Sequence, residues 1–328
     1  MTDVNLEKQF SISIAMATYN GAKYLDKQLD SFLVQTRLPD ELVVCDDGST
    51  DATLEILERF LAKAPFDVKI YRNEVNFGFT KNFEQALSKC SGDLIFLSDQ
   101  DDVWFNNKLT EIEKAFLADA SKLLVVSDGN LVDEGLNWHG STALNQVLTG
   151  FGSSDALVVG ALTAMRKEYL GFALPIPDGM VGHDVWLHNL ARKLDTRLLL
   201  GQPLQSIRRH SANTSDWIAS SVKKINRFDV LKSQLKTEVS GGYEDRLLIN
   251  QSMSERITQI SEQVNDFSQE FIQSSLVHLT LERQALKFRN RIPNANFIQR
   301  KAMAILMLLR DDYRFFNGYK SFFRDIAR

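Results

Sequence analysis

Short apolar runs alternate with amphipathic segments along the first third of the chain. Residues 12–17, 41–45, 68–71 and 93–97 each have the composition of a buried strand. The segments between them space their apolar residues as helices do, for example over residues 24–34. Strands that alternate with helices of this length predict an α/β fold built on a parallel, doubly wound sheet.

Polar and acidic residues follow three of the predicted strands directly. They are Thr18, Tyr19 and Asn20 after the first strand, Asp46 and Asp47 after the second, and Asp99, Asp101 and Asp102 after the fourth. Ligands of open α/β sheets bind beyond the carboxyl ends of the strands. We therefore expect these three clusters to converge on one site.

The cluster after the fourth strand carries three carboxylates in four positions. Like charges a few ångströms apart raise each other's pKa, so a cation is needed to keep them ionised together. Hard oxygen ligands in a D-x-D spacing suit Mg²⁺ or Mn²⁺, and such an ion offsets charge on a diphosphate leaving group. The alternative is that these aspartates only cap the next helix, near Asn106 or Asn107.

Glycine-rich phosphate-binding loops are absent from the sequence. No G-x-G-x-x-G follows the first strand and no G-x-x-x-x-G-K-[ST] occurs anywhere, which argues against a dinucleotide-dependent dehydrogenase and a P-loop enzyme. The net charge of −4 argues against a general nucleic-acid binder. An acidic crevice that can hold a metal is the arrangement expected for a nucleotide-sugar donor.

Four motifs together resemble those of the family 2 glycosyltransferases of the GT-A fold. They are residues 17–21, residues 46–51, residues 76–79 with Asn82, and the D-x-D of Asp99 and Asp101. The resemblance covers about the first 110 residues and implies Asp101 as the principal metal ligand. It also implies a nucleotide-sugar pocket formed by Thr18, Tyr19, Asn20, Asp46, Asp47, Asn76, Gly78 and Asp99. Asp47 or Asp46 would accept a hydrogen bond from the base.

A narrower resemblance, to bacterial rhamnosyltransferases, extends to about residue 216. It rests on residues 98–104, 127–128, 131–133 and 182–187, and on Arg208-Arg209-His210 followed by Asn213 and Ser215, although Ile207 stands where that group has tyrosine. The resemblance implies that His210 completes the metal shell with Asp101 and Asp99. It also implies that Arg208 and Arg209 hold the diphosphate, whose geometry suits a guanidinium. The alternative is an ordinary surface cluster of basic residues.

An inverting transfer needs a base that takes the proton of the acceptor hydroxyl as it attacks the anomeric carbon. Asp184 is our candidate, because it follows a glycine-rich turn and opens a helical run. The alternative is that it only caps that helix. His183 would orient the base or touch the acceptor, or else lie exposed in solvent. Trp186 would also touch the acceptor, although tryptophan more often packs in a core.

The pattern predicts two domains. Strand-like runs continue to about residue 208, and after Trp217 the pattern is helical with a break at Pro293. We place a catalytic domain at residues 1–215 and an all-helical domain at residues 216–328.

The C-terminal helical region is strongly basic. Residues 287–328 carry ten lysines and arginines and three acids, a net charge of +7 that leaves −11 for the rest of the chain. Many aromatic and aliphatic residues accompany these charges. A basic, aromatic-rich amphipathic helix is typical of a segment that lies on an anionic membrane surface. The alternative is packing on the catalytic domain or in a homodimer.

The sequence predicts a cytoplasmic protein, peripheral at most on the inner face of the cell membrane. The first residues lack the features of a secretory signal. No apolar run approaches the ~20 residues that span a bilayer. Cys45 and Cys90 each lie in an apolar run, as buried thiols in a reducing compartment do.

These observations predict a GT-A catalytic domain, followed by helices, that performs inverting, metal-dependent glycosyl transfer. The expected donor is dTDP-L-rhamnose and the expected acceptor a polysaccharide or lipid-linked glycan. One alternative uses another donor, such as UDP-glucose, UDP-galactose or a UDP-N-acetylhexosamine. A second is a non-catalytic scaffold of a polysaccharide assembly complex, and a third is a nucleotidyltransferase. The scaffold would be expected to lack the D-x-D or the base, and a nucleotidyltransferase would need a better glycine-rich basic loop than residues 18–23 supply.

Overall fold

The computed structural model describes residues 10–180, 182–211, 221–226, 242–263, 269–316 and 318–327. The chain divides into two units, Met1–Ile176 with Gly182–Thr237, and Pro177–Val181 with Glu238–Arg328. The boundary that the sequence predicts between residues 215 and 216 lies outside the described residues and stays a prediction.

The first unit begins with the predicted alternation of strands and helices. Its elements are β1 (Ile12–Thr18), α1 (Ala22–Leu33), β2 (Glu41–Asp46), α2 (Thr53–Leu61), β3 (Asp67–Arg72), α3 (Phe79–Lys89) and β4 (Leu94–Ser98). The strands lie in the order β3-β2-β1-β4 and all run parallel. β1, β2 and β4 are almost wholly buried, as is typical of parallel strands covered on both faces. The predicted parallel sheet is confirmed in this half.

The second half of the unit extends the same sheet with strands of both directions. Its elements are β5 (Val103–Trp104), α4 (Lys108–Ala118), β6 (Leu124–Val132), β7 (Trp138–Thr142), α5 (Ala143–Phe151), β8 (Thr163–Arg166), α6 (Lys167–Ala173), α7 (His183–Lys193) and β9 (Arg197–Arg208). β8 pairs antiparallel with β4 and β6. β9 pairs parallel with β6 and antiparallel with β5. Over the described residues the order is β3-β2-β1-β4-β8-β6-β9-β5, with β7 beside β6.

The strands of this second half differ most from the sequence pattern. The pattern predicts only residues 205–208 of β9, and it predicts neither β5 nor β7. β9 contains Gly201 and Pro203, residue types that weaken a strand assignment made from sequence alone. β7 is mostly exposed. β7 and β9 form because β6 offers them a hydrogen-bonding partner, and β5 forms because β9 does, which local periodicity cannot reveal.

Buried aromatic and aliphatic side chains pack the sheet against its helices. Phe32, Phe96 and Trp104 belong to one hydrophobic core cluster. The rings of Phe32 and Trp104 meet edge to face with centroids 4.7 Å apart. Cys45 and Cys90 are free, buried thiols, as predicted. Burial raises the pKa of the Cys45 thiol to about 11, so this thiol is unreactive at neutral pH.

The C-terminal part of the second unit is helical wherever it is described. It contains α8 (Gly242–Gln263), α9 (Gln269–Arg289), α10 (Phe297–Leu309) and α11 (Tyr319–Ala327), with short 3-10 turns at Ile292–Asn294 and Asp312–Phe315. Pro293 lies in the first of these turns and separates α9 from α10, as the sequence predicts. In the described part of the chain, no helix combines the length and the apolar character needed to cross a bilayer.

A buried ion pair joins α9 to α11. Arg289 donates hydrogen bonds to both carboxylate oxygens of Asp325, at 2.8 and 3.1 Å. The Tyr313 hydroxyl donates to the same carboxylate at 3.0 Å, and the Phe316 ring lies 4.4 Å from the guanidinium. Both charged side chains are less than a tenth exposed. Removing either one would therefore leave the other charge buried without a counterion.

The Asp325→Asn variant should lower the free energy of unfolding by about 3–5 kcal/mol, because it leaves the Arg289 charge uncompensated. Urea denaturation followed by circular dichroism measures this loss. Asp311→Asn removes the same charge from an exposed side chain that pairs with Arg314 at 3.4 Å, and it should cost at most about 1 kcal/mol. Equal losses in the two variants would show that the buried pair is not a main support of the helices.

Candidate active site

Asp46, at the end of β2, organises the loop that follows β1. Its carboxylate accepts from the Thr18 hydroxyl and from the Ser49 backbone N–H, both at 2.8 Å. The Ser49 hydroxyl oxygen accepts from the Asn20 backbone N–H at 2.8 Å. Asn20 has a left-handed φ of 48°, which asparagine tolerates better than most residues. The segment Thr18-Tyr19-Asn20 is therefore held in one conformation by its neighbour strand.

Asp47 organises a second loop, residues 73–78. Its carboxylate accepts from the Asn73 side-chain amide and from the backbone N–H groups of Phe77 and Gly78, each at 2.9 Å. The Asn76 side chain also accepts from Gly78, at 3.0 Å. Gly78 has φ of 83°, a conformation that glycine adopts without strain. Asp47 thus shapes this loop, and its predicted contact with a base stays a prediction.

Gln100 joins the loop after β4 to the loop after β1. Its side-chain oxygen accepts from the Tyr19 backbone N–H at 2.9 Å, and its amide donates to the Tyr19 carbonyl at 3.0 Å. Gly21 permits this approach, because a Cβ at that position would overlap the Gln100 side-chain oxygen. The Tyr19 side chain is about half exposed, so it is accessible to a ligand.

Asp99, Asp101 and Asp102 form one acidic cluster at the end of β4. Their carboxylate atoms lie within 4.8 Å of one another. Burial, together with the negative charges of Asp101 and Asp184, raises the pKa of Asp99 to about 7, while the positive charge of Arg209 opposes this shift. Burial also raises the pKa of Asp102 well above its usual range. Oxygen ligands at this spacing fit a small divalent cation, whose charge would relieve the repulsion.

The alternative role of these aspartates, as a cap of the next helix, is wrong. Two residues of β5 follow the cluster, and α4 begins only at Lys108. Its cap position is Asn107, and no side chain provides a capping hydrogen bond there.

His210 and Asp101 meet although 109 residues separate them in sequence. His210 Nε2 lies 2.8 Å from a carboxylate oxygen of Asp101, and the Tyr24 ring stacks on the imidazole with centroids 4.4 Å apart. Arg208 donates from Nε to the Asp101 carbonyl and from an Nη to the Glu134 carbonyl, both at 2.7 Å. The side chains predicted as metal ligands therefore lie together. Asn213 and Ser215 of the same motif lie outside the described residues.

Asp184 lies in the first turn of α7. Its negative charge contributes to the raised pKa of Asp99, so the two carboxylates interact electrostatically. Its Oδ1 accepts from the Val185 backbone N–H at 2.8 Å, whereas the cap position of α7 is Gly182. Asp184 is therefore not the cap residue of this helix. A carboxylate in this position can accept a proton from a hydroxyl that approaches the cluster.

His183 and Trp186 lie in the interior. His183 packs on Phe83 with ring centroids 4.1 Å apart, and burial lowers its pKa, so the ring is neutral at pH 7. Among the described residues neither of its ring nitrogens has a hydrogen-bond partner. Trp186 is fully buried and donates its indole N–H to the Ala173 carbonyl at 2.8 Å. Exposure of His183 to solvent is thus the wrong alternative, and Trp186 packs in the core instead of contacting an acceptor.

Lys108 and Gln205 lie directly behind the acidic cluster, and the sequence motifs do not identify either residue. Both are fully buried. Burial lowers the pKa of Lys108 to about 7, while the charges of Asp102 and Asp99 oppose this shift. One sequence signal was available, because Lys108 shares the buried stripe of α4 with Ile112 and Phe116 at a spacing of four residues.

Comparisons with known proteins identify glycosyltransferases as similar sequences. The profile described as "Glycosyl transferase family 2" matches residues 13–172. EpsE of Bacillus subtilis is described as a putative glycosyltransferase. It is 33% identical over 136 residues, which is 42% of this chain and 49% of that protein. The dTDP-rhamnosyl transferase RfbG of Shigella flexneri is 37% identical over 98 residues, 29% of this chain and 34% of that protein. The match with EpsE thus spans about half of that relative's length.

The fold is similar to that of a solved S. aureus structure, TarS residues 1–349 in complex with UDP-GlcNAc. The TM-score is 0.57 at 18% identity, over 95% of this chain and 92% of that one. A mixed sheet of this kind with an acidic cluster after β4, followed by C-terminal helices, defines a GT-A type of fold. The match of residues 13–172 supports glycosyl transferase family 2 as the family of this part of the chain.

The Asp47→Asn variant should lower the free energy of unfolding by about 1–3 kcal/mol, because a carboxamide cannot satisfy all three donors that Asp47 accepts. It should also speed limited proteolysis within residues 73–78. Glu74→Gln makes the same change of charge on an exposed side chain of that loop and should leave both measurements unchanged. Wild-type stability and cleavage in Asp47→Asn would show that the carboxylate does not hold the loop.

Proposed function

We propose that the protein is an inverting, metal-dependent glycosyltransferase that moves a sugar from a nucleotide-sugar donor to a glycan acceptor. The observation that carries this proposal is the meeting of Asp99, Asp101 and His210 at the end of β4, and the charge of Asp184 also acts on Asp99. These residues come from three distant parts of the sequence, and a bound cation would relieve the repulsion between their carboxylates.

The loops after β1, β2 and β3 would bind the donor. Thr18, Tyr19, Asn20, Asp46, Asp47, Asn76 and Gly78 form or shape these loops, and Arg208 and Arg209 would face the diphosphate. Asp99, Asp101 and His210 would hold Mn²⁺ or Mg²⁺, and such an ion offsets the negative charge of the departing diphosphate when bound.

Asp184 would act as the general base. It would take the proton of the acceptor hydroxyl while that oxygen bonds to the anomeric carbon, as the bond from this carbon to the nucleoside diphosphate breaks. Attack from the face opposite the leaving group inverts the anomeric configuration. The neutral, buried His183 ring beside Asp184 would help to fix the start of α7.

We propose dTDP-L-rhamnose as the donor, and a polysaccharide or a lipid-linked saccharide as the acceptor. Support comes from the 37% identity with the dTDP-rhamnosyl transferase RfbG over 98 residues. The same loops could instead serve UDP-glucose, UDP-galactose or a UDP-N-acetylhexosamine, so the donor must be found by measurement.

A screen of nucleotide-sugar donors with and without Mn²⁺, using two variants, tests this function. Wild type should bind one donor by calorimetry in a Mn²⁺-dependent manner and transfer its sugar. Asp101→Ala should lose the Mn²⁺-dependent part of donor binding, since it lacks a ligand. Asp184→Asn should keep donor binding and lose transfer by roughly 10²–10⁴-fold, the usual contribution of a positioned general base.

Glu111→Gln, on an exposed face of α4, is the control for loss of a carboxylate and should behave as wild type. Full transfer by Asp101→Ala in excess EDTA would rule out the metal. Normal transfer by Asp184→Asn would assign the base to another residue. Retention of the anomeric configuration in the product would rule out the inverting mechanism.

We also propose that the helical unit lies on an anionic membrane surface at the inner face of the cell membrane. α10 is apolar on two faces: Ala304 and Met307 are buried, while Ile298, Ile305 and Leu309 are 79%, 48% and 78% exposed. A spacing of seven and then four residues places these three on one line along the helix. Such a stripe is stabilised when it leaves water.

Charge favours lipid over a second subunit as the occupant of this stripe. The three acids of residues 287–328 each pair with an arginine, and the segment keeps a net charge of +7. Two copies of so basic a surface would repel each other, whereas an anionic bilayer attracts it by about 1 kcal/mol per basic residue near the surface.

The double variant Ile298→Gln and Leu309→Gln should bind phosphatidylserine/phosphatidylcholine vesicles at least about tenfold more weakly than wild type in a co-sedimentation assay, because buried aliphatic side chains contribute about 1.5–3 kcal/mol each. Wild-type binding should also weaken steeply with salt. The control, Val277→Gln and Leu281→Gln, changes two exposed side chains of α9 and should bind normally. A wild-type dimer in size-exclusion chromatography, with no vesicle binding at low salt, would favour the homodimer.

A further inference from the structure

We propose that Lys108 is a positioning residue: it orients the Gln205 amide and, through Asp102, holds the segment 208–210 against the metal-binding carboxylates. This inference rests on the proposed function, because the segment in question would complete the metal site. The Lys108 side chain itself is fully enclosed by protein.

Lys108 is an unusual side chain to find at the start of a buried helix stripe. A lysine is almost never fully buried unless its ammonium is paired. The Nζ of Lys108 donates to Gln205 Oε1 and to the Ala161 carbonyl, the latter at 2.9 Å, and it lies 3.9 Å from the centre of the Trp104 ring. These contacts hold the amine at one point behind the acidic cluster.

The amine determines which way the Gln205 amide faces. A side-chain amide has an accepting oxygen and a donating NH₂ at opposite corners. The lysine ammonium has three donors and no acceptor, so it selects the oxygen. The NH₂ must then point to the other side, where Gln205 Nε2 donates to Asp102 Oδ2 at 2.7 Å. A reversed amide would set its NH₂ against the lysine and its oxygen against a carboxylate.

Asp102 links the oriented Gln205 amide to the end of β9. Its second oxygen accepts from the Arg208 backbone N–H at 3.0 Å. Directly beyond this bond, Arg208 Nε contacts the Asp101 carbonyl at 2.7 Å and His210 Nε2 contacts the Asp101 carboxylate at 2.8 Å. The two ladder pairs of β5 and β9 run only to Trp104 and Gln205 and to Val103 and Ser206. Beyond the last backbone pair of β5 and β9, the Asp102 side chain therefore holds the end of β9 next to the acidic cluster.

The donors around Asp102 also give it a different role from Asp99 and Asp101, which are the proposed metal ligands. Asp102 is 2% exposed, and each of its oxygens accepts a hydrogen bond from β9. The third carboxylate of the cluster thus serves to dock β9, and the first two remain for the cation. Groups that orient metal ligands in this way typically change metal affinity by 10–100-fold when they are removed.

The test compares Lys108→Met, which keeps the length of the side chain but cannot donate, with Lys114→Met on an exposed position of the same helix. Lys108→Met should weaken Mn²⁺ binding, measured by electron paramagnetic resonance, by about 10-fold or more. Hydrogen–deuterium exchange in the metal-free protein should speed up in a peptide that covers residues 205–210 and stay constant over β1. Lys114→Met should match wild type in both measurements.

A double-mutant cycle identifies the route of the effect. In an Asp102→Asn background, Lys108→Met should cause little further loss of Mn²⁺ affinity if the lysine acts through Asp102. Full additivity of the two losses would overturn the inference. Gln205→Glu keeps an acceptor for Lys108 and removes the donor to Asp102, so it should reproduce the exchange and affinity changes if Lys108→Met does not fold.

The outcomes distinguish this inference from the proposed function. If wild type binds Mn²⁺ and transfers a sugar while Lys108→Met has unchanged Mn²⁺ affinity and exchange, the inference alone fails. If wild type neither binds Mn²⁺ nor transfers, the proposed function fails and the inference with it.

Discussion

Repulsion among three carboxylates is the constraint on which the rest of the site depends. Asp99, Asp101 and Asp102 lie within 4.8 Å of one another, in surroundings that raise the pKa of Asp99 to about 7. Buried charges of one sign coexist only where donors and opposite charges compensate them. Those compensating groups come from the end of β9, in Gln205 and the segment 208–210.

The mixed topology of the sheet brings hydrogen-bond donors to the acidic cluster. Parallel strands alone would align the loops after β1, β2 and β4, yet they would bring no donor from outside to the cluster. β9 runs beside β6 and returns to pair with β5, so its last residues arrive directly over Asp101 and Asp102. The parallel half thus supplies the acidic cluster and the loops that would hold a nucleotide, and the antiparallel pairing supplies what balances the acids.

Buried aspartates have a second, structural role in this protein. Asp46 and Asp47 accept hydrogen bonds from neighbouring loops and give those loops a defined shape without a metal. Carboxylates are effective here because each oxygen accepts more than one bond. An aspartate motif can therefore be a functional signature by holding the backbone that lines a pocket, whether or not it touches a ligand.

The sequence by itself determined the parallel half of the sheet, the helical C-terminal region and the positions of the acidic motifs, because periodicity and strand-end polarity are local properties. It also paired His210 with Asp101 by resemblance. Only the tertiary structure decided that β9 runs from residue 197, that Trp186 and His183 are buried, and that Lys108 and Gln205 lie behind the cluster. These features depend on contacts between residues up to about 100 positions apart. Shared burial and strand pairing govern those contacts, so a local pattern does not reveal which residues meet.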